Sequence, residues 1–146
     1  ASQLSDGAAA VLVASRDAAE ANSWPILGTV LDYCTTGVEP ARVMAAPIPA
    51  IELLLNRNEM TIDDLSFVEH NEAFAAASCA VAKACSVPDD KINPHGGAVS
   101  IGHPLGATGA RCLMTLINAL RRTGGGKGIV TLCLGGGNAV AMLVSA

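Results

Sequence analysis

The sequence IVTLCLGGGNAVAMLV, residues 129–144, contains two apolar runs separated by three glycines. The first run, 129–134, is continuous and rich in β-branched residues, which predicts a strand covered on both faces. Residues 135–137 predict a tight turn, and residues 140–144 predict a second buried strand that returns antiparallel to the first. Strands covered on both faces need helices on either side, so this pattern indicates a layered α/β domain.

Helix and strand signals alternate along the rest of the chain. Apolar periodicity predicts strands at 8–13, 27–33 and 66–69, and helices at 15–21, 47–58, 72–85 and 107–122. Residues 34–40 include Gly and Pro and predict a loop that leaves the second strand. The resulting order is βαβαβααββ.

The composition excludes several functional classes. The 146 residues carry a net charge of −4 and only 15% charged residues, which argues against a basic face for nucleic acid. Every apolar run is interrupted before the ~18–20 residues of a membrane span. The five cysteines form no C-x-x-C pair and the three histidines lie at no ligand spacing, so we predict no metal site. This cysteine usage indicates a reducing compartment, the cytoplasm first, with mitochondria and peroxisomes left open.

Asn71 begins the segment NEAFA, residues 71–75, at a predicted strand-to-helix junction. Ligands bind at such junctions in open α/β sheets, so Asn71 is a candidate site residue. The alternative is an N-cap, in which the side-chain oxygen accepts from a helix amide.

His103 lies in GGAVSIGHPLGATGAR, residues 96–111, directly before a predicted helix. As an isolated residue it could be purely structural. The glycines on both sides favour a backbone that passes close to a ligand, and the helix N-terminus beyond them offers amides to an oxyanion.

Cys133 begins CLGGG, residues 133–137, near the end of the first buried strand. Core packing is the alternative for a free cysteine. The triple-glycine turn can present N–H groups to a cavity, as an oxyanion hole requires. A strand follows the turn where a dinucleotide-binding motif would have a helix, which excludes that motif.

Together these three segments resemble the C-terminal signature motifs of the thiolases, in the family's order and spacing, and the likeness covers the whole chain. The resemblance implies the α/β fold of the thiolase C-terminal domain, with a mixed, mostly parallel sheet covered by helices on both faces. Residues 1–24 would be the end of the N-terminal half and its connection, and residues 25–146 the C-terminal domain.

The resemblance also implies Claisen chemistry on coenzyme A thioesters, with no cofactor. Cys133 matches the acid/base cysteine, and a thiolate suits this task if nearby His and backbone dipoles pull its pKa toward neutrality. His103 matches the histidine that activates the nucleophile and, with a water held by Asn71, stabilises the enolate. Gly135 matches the glycine whose N–H helps to form the second oxyanion hole.

Further positions match the walls of the family's substrate site. Ser2, Ala73 and Phe74 match the pantetheine channel, and Val43 and Met44 match the acyl pocket. No residue matches the nucleophilic cysteine, so we expect an N-terminal half or a partner subunit to carry it, in a homo- or hetero-oligomer.

Two observations limit the resemblance. Asn138 and Ala139 stand where the family has Met or Gln and then Gly, which could change the acyl pocket. The first residues, ASQLSDG, contain neither an initiator methionine nor a signal peptide, so we expect part of a longer polypeptide or a subunit of a split enzyme.

A non-catalytic acyl-CoA-binding or scaffold subunit is the alternative function. Asn71 argues against the sterol-carrier branch, which has another residue there.

Overall fold

The computed structural model describes residues 3–146. Its elements are α1 (Arg16–Ala21), β1 (Thr29–Gly37), a 3₁₀ helix (Pro40–Ala45), α2 (Pro47–Arg57), a 3₁₀ turn (Ile62–Asp64), β2 (Phe67–His70), α3 (Ala75–Ala84), α4 (Ala98–Ile101), α5 (Leu105–Arg122), β3 (Lys127–Leu134) and β4 (Asn138–Ser145). The four predicted helices and the predicted strands after residue 24 are confirmed, with ends that move by a few residues.

The four strands form one mixed sheet in the order β1-β4-β3-β2. Only β2 and β3 pair in parallel, whereas β4 pairs antiparallel with both β1 and β3. The expectation of a mixed sheet is confirmed, but the expectation that it is mostly parallel is wrong for these residues. The glycine turn at 135–137 accounts for the pairing of β3 with β4, because strands joined by so short a connection can only run antiparallel. The unpredicted pairing is that of β1 with β4, which joins residues more than a hundred positions apart and which no local pattern reveals.

Helices cover both faces of the sheet. On one face Ile51 and Leu54 of α2 and Val81 of α3 pack against sheet residues that include Ile129. On the other face Leu116 and other buried residues of α5 pack against Val130 and Val144. Val130 follows Ile129 in β3, so its side chain leaves the sheet on the opposite face. The prediction of helices on both faces is therefore confirmed.

The apolar run at 8–13 forms no strand, contrary to the prediction. Residues 3–15 have no regular structure, and Leu12 and Val13 are exposed. An apolar run becomes a strand only where a neighbouring strand takes its backbone hydrogen bonds. Conversely, residues 34–37, predicted as a loop, continue β1 because they pair with residues 138–141 of β4.

Candidate functional site

Asn71 lies directly after β2, at the carboxyl end of the parallel pair. Its backbone N–H donates to the Thr131 carbonyl at 3.0 Å, which extends the pairing with β3 by one residue. The residue is fully buried. Helix α3 begins at Ala75 with Phe74 as its N-cap, so the alternative that Asn71 caps a helix is wrong. A buried amide that caps no helix needs other partners inside the protein.

The Asn71 amide contacts the His103 ring. Asn71 Nδ2 lies 3.2 Å from His103 Nε2, although the residues are 32 positions apart in sequence. The preceding Gly102 has φ +88°, and a Cβ there would lie 2.6 Å from Ser5 Oγ. The same Ser5 hydroxyl accepts from the His103 backbone N–H at 3.3 Å. Glycine at 102 thus lets the chain turn so that His103 faces Asn71.

The other ring nitrogen of His103 faces helix α5. Nδ1 lies 2.7 Å from Thr108 Oγ1, and that hydroxyl donates its proton to the Pro104 carbonyl at 2.8 Å. A hydroxyl has one proton to donate, so Nδ1 carries the hydrogen here and Nε2 keeps its lone pair. Burial and the positive charge of Arg111 lower the pKa of His103, which favours this neutral ring.

A buried ion pair borders the contact between Asn71 and His103. Arg111 on α5 donates to Glu69 Oε1 at 3.0 Å, and its Nη2 lies 3.5 Å from Asn71 Oδ1. Burial raises the pKa of Glu69 to about 7, although Arg111 acts in the opposite direction. Neither residue is among the site residues predicted from the sequence. The signal was a charged residue inside an apolar strand, which is seldom buried without a partner.

Glu72 connects two of the three motif segments. Its Oε2 accepts from the Val99 N–H at 2.9 Å, and its Oε1 accepts from Asn93 Nδ2 at 3.1 Å. A Cβ at Gly97 would lie 2.9 Å from the Glu72 carboxylate, so the backbone at 97 approaches as closely as glycine allows. Glu72 lies at the start of a predicted helix, and the sequence does not reveal that it anchors the segment leading to His103.

Cys133 lies near the carboxyl end of β3, the same sheet edge as Asn71. It pairs with Ala139 of β4 and its thiol is free and half-buried. Among residues 3–146, no hydrogen bond joins its Sγ to Asn71 or His103. Burial raises the pKa of the Cys133 thiol, so the condition that its surroundings pull this pKa toward neutrality is not met within this chain.

The glycine turn after Cys133 is hydrogen-bonded to Val38, the residue that follows β1. Gly137 has φ +90° and its carbonyl accepts from the Val38 N–H at 2.7 Å, while a Cβ at 137 would collide with the Val38 carbonyl. Asn138 Nδ2 donates to the Gly135 carbonyl at 3.3 Å. A Cβ at Gly135 would meet nothing within 4 Å, so this residue faces open space at the sheet edge.

The predicted substrate residues lie near this edge where they are described. Ala73 and Phe74 follow Asn71, and Phe74 is exposed. Val43 and Met44 are half-buried in the 3₁₀ helix that begins just after Val38. Ser2 lies outside the described residues.

Comparison with known families decides the relationship. The family model described as "Thiolase, C-terminal domain" matches residues 24–146. The chain belongs to the thiolase family. Its α/β fold, with a mixed sheet and helices on both faces, is that of the thiolase C-terminal domain.

Individual thiolases match the chain over most of its length. The cytosolic acetyl-CoA acetyltransferase of Rattus norvegicus is 43% identical over 144 residues, which are 99% of this chain and 36% of that protein. The peroxisomal 3-ketoacyl-CoA thiolase B of the same organism is 44% identical over 141 residues, covering 96% and 33%. The Acat5 thiolase of Ascaris suum, crystallised with coenzyme A, superimposes with a TM-score of 0.85 at 36% identity, covering 90% and 34%. The chain thus spans about a third of the length of these thiolases.

The described part of this thiolase domain holds neither a membrane-spanning helix nor a metal-binding cluster. No helix within residues 3–146 combines the length and apolarity that a bilayer crossing requires. Within the same residues, no three His, Cys, Asp or Glu side chains cluster closely enough to hold a metal ion.

Proposed function

We propose that the chain is the C-terminal part of a thiolase that interconverts two acyl-CoA molecules with a 3-ketoacyl-CoA and free coenzyme A. The observation that carries the proposal is the contact between Asn71 and His103 at the sheet edge that also bears Cys133. These residues match the family's reacting groups, and the relatives are named as acetyl-CoA acetyltransferases and thiolases. The substrates are coenzyme A thioesters, and the chemistry needs no cofactor.

His103 serves first as a base and then as a hydrogen-bond donor. Its Nε2 lone pair accepts the proton of the nucleophilic thiol, because Thr108 and Pro104 hold the other proton on Nδ1. The ring then presents Nε2–H to the oxygen of the bound thioester, which becomes negative as the enolate forms. A donor fixed at that oxygen lowers the barrier selectively. Asn71 Nδ2 points to the same place and holds the water that completes this oxyanion hole.

Cys133 serves as the acid when a 3-ketoacyl-CoA is cleaved. The nucleophilic thiolate adds to the β-carbonyl carbon of the substrate. The bond between the substrate's α- and β-carbons then breaks, the electron pair passes to the α-carbon, and the Cys133 thiol protonates that carbon. The incoming coenzyme A thiol gives its proton to the Cys133 thiolate and attacks the acyl-enzyme, and the departing nucleophile thiolate recovers its proton from His103. Burial keeps Cys133 protonated at rest, which suits the cleavage direction. The Gly135 N–H supports the carbonyl oxygen of the acyl group, as its match to the family's oxyanion-hole glycine implies.

The nucleophile lies on the remaining part of the polypeptide or on a partner subunit. We use "assembled enzyme" below for this chain together with that part, as a homo- or hetero-oligomer. The cytoplasm is the proposed location, since the named relatives include a cytosolic enzyme.

The test is the cleavage of a 3-ketoacyl-CoA by coenzyme A, followed by loss of the absorbance of the 3-ketoacyl-CoA enolate. The assembled enzyme should turn over and the chain alone should not. Cys133→Ala should reduce turnover by at least about 10²-fold, the usual cost of losing an acid/base group. Cys79→Ala is the matched control, because Cys79 is an exposed free thiol on α3. Unchanged turnover of Cys133→Ala would refute the proposal.

A further inference from the structure

The Arg111 guanidinium bridges two residues of the same strand face. Glu69 lies in β2 and Asn71 extends the pairing with β3 by one residue, so their side chains, two positions apart, point to the same side. Arg111 reaches across from α5 and places one nitrogen 3.0 Å from Glu69 Oε1 and another 3.5 Å from Asn71 Oδ1. Glu69 is 1% exposed and the Arg111 side chain 17% exposed, so water competes little for these contacts.

The two orientations of the Asn71 amide have nearly the same shape but opposite chemistry. In the observed orientation Nδ2–H points at the lone pair of His103 Nε2 and Oδ1 points at Arg111. A flipped amide would set its oxygen against that lone pair and its NH₂ group against the guanidinium. Because a guanidinium can only donate hydrogen bonds, Arg111 is compatible only with the orientation that turns Asn71 Oδ1 toward it.

We infer that Arg111, held in place by Glu69, is a positioning residue that fixes the Asn71 amide toward His103. The inference rests on the proposed function, which places Asn71 and His103 in the reaction. Arg111 itself touches neither the substrate nor the nucleophile in this scheme. It acts through Asn71, so its effect should disappear when Asn71 is absent.

Arg111→Lys separates positioning from charge compensation. The lysine ammonium can pair with Glu69, so the buried carboxylate keeps a cation. It is a compact point charge without the rigid fork that lets arginine contact two groups at once. The substitution should therefore free the Asn71 amide without exposing Glu69 to an uncompensated environment.

The experiment is a double-mutant cycle in the assembled enzyme. Arg111→Lys should lower kcat by about tenfold with a smaller change in KM, because the loss concerns the transition state. Asn71→Ala should lower kcat further. In the combined variant, Arg111→Lys should cause no additional loss. Arg121→Ala, an exposed arginine in the last turn of the same helix, is the control and should behave as the parent.

The outcomes separate the two proposals. If the losses from Arg111→Lys and Asn71→Ala multiply, or if Arg111→Lys matches the control, the inference is wrong. If His103→Ala and Asn71→Ala retain parental turnover, the proposed function fails. Should Arg111→Lys fold poorly, Glu69→Gln replaces it in the cycle, since the amide holds the guanidinium less firmly. An additive effect of Glu69→Gln with Asn71→Ala would then overturn the inference.

Discussion

Two arginine–carboxylate pairs join helices to the sheet, and they lie in opposite environments. At the surface, Arg57 at the end of α2 donates to Asp32 Oδ2 at 2.8 Å and to the Tyr33 carbonyl at 2.9 Å. In the interior, Arg111 of α5 donates to Glu69. The chemical groups are the same, but only the interior pair borders the candidate site.

The environment decides what each pairing does to its carboxylate. Hydrogen bonds from Arg57 lower the pKa of Asp32 to about 2. Burial raises the pKa of Glu69 to about 7 despite Arg111. A pair at the surface thus favours the ionised acid, whereas an interior pair must first overcome desolvation. We therefore expect the surface pair to serve stability alone and the interior pair to serve the geometry of the site.

The largest expected effect concerns catalysis at the interior edge. His103→Ala should lower turnover of the assembled enzyme by about 10²–10⁴-fold, the range for loss of an acid/base or oxyanion group. Its melting temperature should stay close to that of the parent. His103→Asn, which keeps an N–H donor but accepts no proton, should recover part of the loss. A variant that melts far below the parent yet turns over normally would make His103 a structural residue.

The next effect concerns stability at the same edge. Arg111→Ala leaves Glu69 buried without its cation, and losing one partner of a buried pair costs about 3–5 kcal/mol. Chemical denaturation of the assembled enzyme at pH 8 measures this loss. At pH 6 the loss should shrink, because Glu69 can then take a proton. Equal losses of stability at both pH values would show that the loss does not come from a buried, ionised Glu69 carboxylate.

The two carboxylates should respond to pH with opposite sign. The pKa of Asp32 falls from 3.8 to about 2 on folding, so its contribution to stability is present above pH 4 and is lost toward pH 2. The pKa of Glu69 rises from 4.5 to about 7, so its contribution is present below pH 4.5 and is lost as pH rises through 7.

Melting curves of Asp32→Asn and Glu69→Gln between pH 3 and pH 8 test this contrast. The deficit of Asp32→Asn against the parent should close as the solution becomes acidic. Glu69→Gln should gain on the parent as pH rises from 4.5 to 7. Curves that move in the same direction for both variants would remove the contrast.

The smallest effect concerns the surface pair. Arg57→Ala should lower the melting temperature by no more than about 4 °C, since exposed ion pairs contribute little. Thiolase turnover should be that of the parent. A loss of turnover comparable to that of Arg111→Lys would show that the two pairs do not differ in role.

Local patterns in the sequence predict much of this fold. The helix at 47–57, the hairpin of β3 and β4 and the placement of Asn71 after a strand all follow from periodicity and turn residues within short windows. The run at 8–13 was mispredicted because an isolated apolar stretch does not reveal whether a neighbouring strand exists. The direction of strand pairing has the same limit beyond the hairpin.

The site shows the same division between local and distant information. The motifs singled out Asn71, His103 and Cys133, but the pair of Glu69 and Arg111 was missed. These two residues are 42 positions apart, and only the packing of α5 on β2 brings them together. The raised pKa of Cys133 was also missed, because it arises from burial that the tertiary structure determines.

The contacts of residues 5–7 bear on where such a protein can be recombined. Ser5 accepts from the His103 N–H at 3.3 Å, and a Cβ at Gly7 would lie 2.7 Å from the Pro104 ring. A chimera joined at residue 24, where the family match begins, would take residues 5–7 from one parent and their contact partners, residues 103–104, from another. A crossover upstream of residue 5 takes both contacting segments from the same parent. Chimeras of two thiolases joined there should therefore fold better than chimeras joined at residue 24.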